Sequence, residues 1–296
     1  MKIAIIGTNG FLSTSIAKYA EEKGWTLDMY GLDKPIHHTY SHFYSINLLQ
    51  GDIDIKELSK SDMIVYAVGA GIQSNLKEGA DLIYVLNVIV PVNICNKLKS
   101  LDYKGVFVTF GSYFELGETE LQSPATEEDV ITASAPAPTD YVVSKRMLTR
   151  FVTSYKHDYI HWHFVLPTIY GPEENPHRLI PYTINAIKNN EELHFTSGDQ
   201  VRQYLYVGDV VKVMDMAYTK SLPSGIYNIA GNETNSVIEI VQVIHNAYKK
   251  SVSDDAFGII QRTDTCMKYL ALSGSKLKKE ISNYKLTNLV DILKLY

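Results

Sequence analysis

The chain of 296 residues is long enough for one large domain or two unequal ones, with material for a sizeable hydrophobic core. Its 45% hydrophobic and 21% charged residues are ordinary for a globular protein and include no low-complexity tract. A formal net charge of −5, with no long run of like charges, gives none of the basic footprint that nucleic acid or an anionic membrane surface requires.

Residues 2–6 read as a strand and run directly into a glycine turn. That opening is too short in apolar character for a secretory signal, so a cytoplasmic protein is expected. The turn, Gly7, Thr8, Asn9, Gly10, Phe11, Leu12 and Ser13, opens a helix over 12–23. Gly7 permits the tight turn, and Gly10 lets backbone amides approach a pyrophosphate at the helix N-terminus. Ser13 holds the place of a third glycine, where a small residue allows close helix–sheet packing. A second strand over 26–30 ends at Gly31, where NAD enzymes place an acid for the ribose 2′-hydroxyl. Asp33 remains a candidate for that contact, whereas Lys34 with His37 or His38 suits a 2′-phosphate. The cofactor is therefore read as NADP or NAD, leaning to NADP. His37, His38 and His42 are placed together in a loop, without the converging ligand set a metal needs, so no metal site is expected.

A strand over 62–68, a long helix over 81–98 and a strand over 105–110 follow. Apolar stretches here are short or interrupted by Asn87, Pro91 and Asn93, so no bilayer-spanning segment is expected. Glu127, Glu128 and Asp129 read as a charged loop ahead of the Pro136–Pro138 segment. A helix over 139–155 and a strand over 160–166 complete a series of β-α-β units. Such units imply an α/β fold, a doubly wound (Rossmann) parallel sheet with ligands at the carboxyl ends of its strands. Beyond Pro167 the elements shorten around Pro172, Pro176 and Pro181. The reading is a dinucleotide-binding domain over 1–167, with segments near 201–230 returning to it, and a smaller substrate domain over 168–296. Cys95 and Cys266 form no motif and are read as buried thiols.

Tyr141 and Lys145 stand one helical turn apart on one face of the 139–155 helix. A tyrosine hydroxyl titrates near ~10 when unperturbed, and an ammonium nearby favours the phenolate. Ser112, at the carboxyl end of a strand, is placed to hydrogen-bond a substrate carbonyl. Together the three form a proton-transfer set beside a hydride donor.

In this order the motifs resemble the extended short-chain dehydrogenase/reductase family, of the NAD-dependent epimerase/dehydratase type. The likeness runs through the strand ending Ala67-Val68-Gly69, Asn87, Gly111-Ser112 to Gly117, and Tyr141 to Lys145. It continues through Pro167-Thr168 to Pro172, Leu179-Ile180-Pro181, Arg202-Gln203-Tyr204 and Gly225 to Ile229. The resemblance implies that Ala67, Val68 and Gly69 line the cofactor with Asn87 close by, and that Asn47-Leu48 lies beside the adenine where the family has Asp-Leu. Lys145 would also bind the nicotinamide ribose. It further implies a nucleotide-diphosphate sugar as partner, with Arg202 and Arg262 on the diphosphate, Arg178 beside them, and Thr168 and Leu179 in the substrate loop. Two of the helices, over 81–98 and 141–155, resemble those that pair these enzymes into homodimers.

The family's 4,6-dehydratases carry an Asp-Glu pair directly after the catalytic hydroxyl; here Tyr113 and Phe114 stand there and move no protons. Apolar rings suit a 6-deoxy sugar, and the pattern resembles reductases of CDP- or dTDP-linked 4-keto-6-deoxyhexoses. A 4-epimerase with tightly held NAD uses the same residues, and a non-catalytic NAD(P)-sensing protein is the alternative outside enzymes.

Overall fold

The computed structural model describes every residue except 52, 73–76, 262–265 and 283. Its first half alternates strand and helix: β1 (Lys2–Ile6), α1 (Phe11–Glu22), β2 (Thr26–Gly31), β3 (His42–Ser45), α2 (Ile55–Leu58) and β4 (Met63–Tyr66). The crossover from β4 is α3 (Ala80–Tyr84), a π-helical turn (Val85–Ile89) and α4 (Val90–Ser100), leading to β5 (Val106–Ser112). Then come α5 (Glu127–Ile131), α6 (Asp140–Ser154), β6 (Ile160–Leu166) and β7 (Thr168–Tyr170). The remainder comprises α7 (Leu179–Asn189), β8 (Val201–Tyr206), α8 (Val207–Thr219), β9 (Gly225–Asn228), β10 (Glu233–Ser236) and α9 (Val237–Ala247). It closes with β11 (Tyr269–Leu270), α10 (Ser275–Glu280) and α11 (Leu289–Ile292).

Seven strands form one parallel sheet in the order β3-β2-β1-β4-β5-β6-β9. The order reverses at β1, which leaves a crevice at the carboxyl ends of β1 and β4. This is the doubly wound fold the sequence predicts. A second, four-stranded sheet is built on β8, with β10 antiparallel to it and β7 and β11 parallel. β9 therefore joins the large sheet while β8 belongs to the small one.

The short edge strand β3 replaces the expected loop around His42, whose Nδ1 lies 2.8 Å from the fully buried Asp28. The stretch Glu127–Asp129 is likewise no solvated loop. Thr126 and Asp129 form a capping box that starts α5, and buried Glu127 accepts a hydrogen bond from the Asn228 amide at 2.9 Å. Cys95 is buried as expected, but Cys266 is exposed.

The main core lies between the sheet and α1 and α8, with Ile3, Ile5, Met29, Val65, Val108, Trp162 and Phe164 among its members. A second cluster, around Ile6, Tyr30, Tyr66 and Phe107, sits under α4. Among the described residues one helical stretch, Ala80–Ser100, is long and apolar enough to cross a membrane, at mean hydropathy 1.3. Here it is the crossover that packs on β4, with Tyr66 donating to the Leu86 carbonyl at 2.6 Å.

Candidate active site

The β1–α1 turn has the geometry of a cradle. Gly7 has φ +105°, and a Cβ there would meet Val68 Cγ2 at 3.1 Å and the Ala67 carbonyl at 3.3 Å. Gly10 is the N-cap of α1, where no side chain caps the helix, so the amides of Phe11 and Leu12 remain for an anion. Ser13 is fully buried and donates to the Gly10 carbonyl at 2.9 Å. Asn9 ties the turn to the next loop, donating to the Lys34 carbonyl at 3.2 Å and accepting from the Ile36 amide at 3.1 Å.

At the end of β2, where no acid stands, a Cβ on Gly31 would crowd the Thr8 side chain, falling 2.7 Å from its Oγ1 and Cγ2. Asp33 and Lys34, just beyond, are exposed. Asn47 uses its side chain locally, accepting from the Leu49 amide at 3.0 Å, and Leu48 packs on the cluster under α4. Ala67 and Val68 are half-buried, and Gly69 is exposed at the crevice. Asn87 is buried and pinned: it exchanges hydrogen bonds with the Ala70 backbone at 2.9 Å and donates to Ser144 Oγ at 2.9 Å. It holds the loop after β4 against α6, which is a positioning role.

Ser112 ends β5 and caps the turn Tyr113–Leu116, whose reciprocal partner is Glu115. Thr139 caps α6 through the Val142 amide at 3.4 Å, which sets Tyr141 and Lys145 in the first turns of that helix. Both are buried, and the Ser112 hydroxyl acts on the Tyr141 phenol. The structure thus brings the three predicted catalytic residues together.

Burial raises the Tyr141 pKa, with the Ser112 hydroxyl as the largest opposing influence. Lys145 does not turn to the phenol: its Nζ donates to the Phe110 carbonyl at 2.9 Å and lies 5.8 Å from the Tyr141 ring centroid. Burial lowers the Lys145 pKa too, which weakens the ammonium that was to stabilise the phenolate.

Tyr113 is fully buried, its hydroxyl 2.6 Å from Thr168 Oγ1, so it anchors the turn to β7. Phe114 is the ring that remains half-exposed, edge-on to Tyr141 at 6.4 Å between centroids. Arg178 stands at the N-cap position of α7 without a side-chain cap bond, its Nε 3.4 Å from the Glu174 carboxylate, and Leu179 packs between the apolar clusters beneath that helix. Arg202 is buried in β8 and donates to the carbonyls of Val201 at 2.9 Å and Met267 at 2.7 Å. Arg262 lies outside the described residues.

Sequence reasoning missed Glu115. It is fully buried, Oε1 accepts from the Ser112 amide at 2.8 Å, and burial raises its pKa against the opposing pull of Lys145 and Arg146. Nothing in its local sequence separates it from a loop charge. Beside it the Arg146 guanidinium donates to the backbone carbonyls of Glu115 and Ala135.

A glycine cradle at a helix N-terminus, facing a Ser-Tyr-Lys set at the strand ends, defines the extended short-chain dehydrogenase/reductase architecture. The family described as "NAD dependent epimerase/dehydratase family" matches residues 3–230, and the chain belongs to it. The dTDP-D-glucose 4,6-dehydratase of Dictyostelium discoideum is 25% identical over 277 residues, covering 83% of this chain and 62% of the relative. An Escherichia coli dTDP-glucose 4,6-dehydratase is 28% identical over 53% of this chain and 45% of its own. The chain therefore spans less than two thirds of the length of these dehydratases. CDP-abequose synthase of Salmonella muenchen is 23% identical, covering 90% of this chain and 87% of the relative. Among solved structures, UDP-glucose 4-epimerase from Thermotoga maritima with UDP-glucose superposes at TM-score 0.84 and 16% identity, covering 100% and 97% of the two chains. The Bacillus anthracis dTDP-glucose 4,6-dehydratase in complex with NAD gives 0.80 at 20% identity, covering 99% and 94%. Those two likenesses are of fold.

Proposed function

We infer that this protein reduces the C4 keto group of a nucleotide-linked 6-deoxyhexose, a CDP- or dTDP-sugar, using NADPH or NADH. The observation that carries the reading is the turn after Ser112. Tyr113 is folded inward on Thr168, Phe114 faces Tyr141, and the carboxyl that follows, Glu115, turns back to the Ser112 amide. No carboxylate stands on the open side of Ser112 within that turn to exchange protons at C5 and C6, as dehydration requires. The coverage of CDP-abequose synthase along most of both chains supports the same choice.

The crowding at Gly7 and the uncapped start of α1 fit a dinucleotide, whose pyrophosphate would lie against the Gly10–Leu12 amides. A bound nicotinamide supplies the hydride. Ser112 polarises the ketone, and Tyr141 gives its hydroxyl proton to the C4 oxygen. Lys145, released from the Phe110 carbonyl, steadies the phenolate left behind. Asp33 and Lys34 stand open beyond β2, and Lys34 favours a 2′-phosphate, hence NADP. A homodimer through the Ala80–Ser100 and α6 helices goes with this reading, since Ile89 is 49% and Met147 47% exposed there. Light scattering at a twofold mass would support it.

Absorbance at the nicotinamide band tests the activity. Purified protein should oxidise NADPH or NADH stoichiometrically with a nucleotide-4-keto-6-deoxyhexose, and Tyr141→Phe should cost roughly 10²–10⁴-fold in rate. Interconversion of nucleotide hexoses without net oxidation would replace this reading with a 4-epimerase. Binding of dinucleotide with no turnover of any sugar would leave a sensing protein.

A further inference from the structure

The loop between β7 and α7 carries a carboxyl that the reduction chemistry does not use. Glu174 is 6% exposed, and its side chain meets three groups. Tyr296 donates its hydroxyl to Oε1 at 2.5 Å, the Gly171 amide approaches the same oxygen at 3.5 Å, and Arg178 Nε stands 3.4 Å from Oε2. Glu174 and Tyr296 lie 122 residues apart, so only the fold brings them together.

The segment that carries Tyr296 is anchored. Leu289, Ile292 and Leu293 are buried in one apolar cluster with Ile180 and Ile184 of α7. Tyr296 packs on that cluster, and Lys188 of α7 donates to its main-chain oxygen at 2.8 Å. The phenol is thereby fixed against Glu174.

Arg178 faces the other way. It stands where α7 begins, with no side chain capping the helix and no amide on Pro181, so the Leu179 and Ile180 amides remain open. Burial raises the pKa of both Tyr141 and Tyr204, and the Arg178 charge works against that rise in each. The guanidinium therefore lies on the active-site side of the loop. Glu174 takes its Nε edge, which leaves the Nη edge of the fork for a ligand.

We propose that Glu174 and Tyr296 form a latch that positions Arg178 for the diphosphate of the nucleotide sugar. Substrate affinity is then set in part by the segment 289–296, whose residues do not touch the reacting carbon. The inference rests on the nucleotide-sugar reading and is indifferent to whether the sugar is reduced or epimerised.

Two effects of opposite sign act on Arg178. An unrestrained arginine loses side-chain freedom when it grips a phosphate, and a partner that orders it beforehand removes that cost. A carboxylate behind the guanidinium also competes with the phosphate for it. The geometry keeps that competition small, because the Tyr296 hydroxyl occupies Oε1 and the contact at Oε2 is longer than a bidentate pair. Ordering wins, and both residues are positioning residues. Without Glu174 the fork is loose; without the phenol the carboxylate draws it inward.

Titration calorimetry on the full chain tests the latch, with dTDP, CDP and UDP as probes. Burial raises the Glu174 pKa to about 7, so the titrations are run at about pH 8.5, where it is a carboxylate. Glu174→Gln should weaken binding of the nucleoside diphosphate that the unmodified protein prefers by about three- to tenfold, and Tyr296→Phe should weaken it by less. Arg178→Met should weaken it more than either. Adding Glu174→Gln to Arg178→Met should then cost nothing further, since the carboxylate acts through that guanidinium. Dinucleotide affinity should be the same in all of these variants. Unchanged or tighter nucleoside diphosphate binding in Glu174→Gln overturns the latch. So does the same loss repeated on Arg178→Met, or a parallel loss of dinucleotide affinity. An unmodified protein that binds none of the three probes overturns the nucleotide-sugar reading, and the latch falls with it.

Discussion

Strands β5 and β6 have two faces, and the two could hardly differ more. Toward α8 they present Val106, Val108, Phe110, Trp162, Phe164 and Leu166, all in the main core. Toward α6, in the same register, Thr109 stands opposite His163 and Phe107 opposite His161. Alternation along a strand makes this possible, since neighbouring residues point to opposite sides of the sheet. The apolar face stabilises by burial alone. On the polar face the hydroxyls and imidazoles form a row, Thr149 to His163 to Thr109 to His161, that satisfies its members except at His161 Nδ1, in a low dielectric where an unmet polar group is costly.

Mutations should separate the two faces. The largest effect on stability belongs to the apolar side. Trp162→Ala removes a side chain 1% exposed, together with its hydrogen bond to the Leu222 carbonyl, and should cost about 3–5 kcal/mol in denaturant melts. It should leave the pH dependence of activity in the surviving folded fraction unchanged.

A carboxyl in the smaller sheet's neighbourhood sharpens the contrast, because it is buried without belonging to the row. Burial raises the Glu174 pKa from 4.5 to about 7. A raised folded pKa contributes stability that is complete below the unfolded value and is lost as pH rises through the folded one. Glu174→Gln should therefore gain on the parent by roughly 3 kcal/mol between pH 4 and pH 8, read as the difference between the two stability profiles. A pH-independent difference would mean that the Arg178 contact at 3.4 Å compensates the burial.

The smallest effect is expected at the cofactor cradle. Gly7→Ala places a Cβ at positive φ against Val68 and the Ala67 carbonyl. It should destabilise by about 1–3 kcal/mol and weaken dinucleotide binding measured by calorimetry. The polar row would be untouched, so its histidine tautomers should not change.

The apolar face and the cradle were legible in the sequence. Buried parallel strands read as continuous apolar runs, and the glycine turn directly follows the first of them. Ser112, Tyr141 and Lys145 were legible because strand ends and helix faces converge in a doubly wound sheet. The polar row was not. His161 and His163 carry no sign of it in their local sequence, because their partners Thr109 and Thr149 lie 52 and 14 residues away and only the fold unites them. Glu115 escaped for the same reason. The edge strand β3 was missed because its four residues, His42–Ser45, are half polar and too short to show a period. Helical spacing fixes the face from which Lys145 leaves α6 and not the carbonyl it finds, here that of Phe110.

The central claim is tested most directly by isotope transfer. The protein is incubated with a nucleotide-4-keto-6-deoxyhexose and NADPH or NADH carrying deuterium at the transferable position, and the product is examined by mass spectrometry and NMR. The account predicts one deuterium, at C4, in each product molecule, with one cofactor oxidised. Product free of deuterium, formed while the cofactor stays reduced, would contradict it.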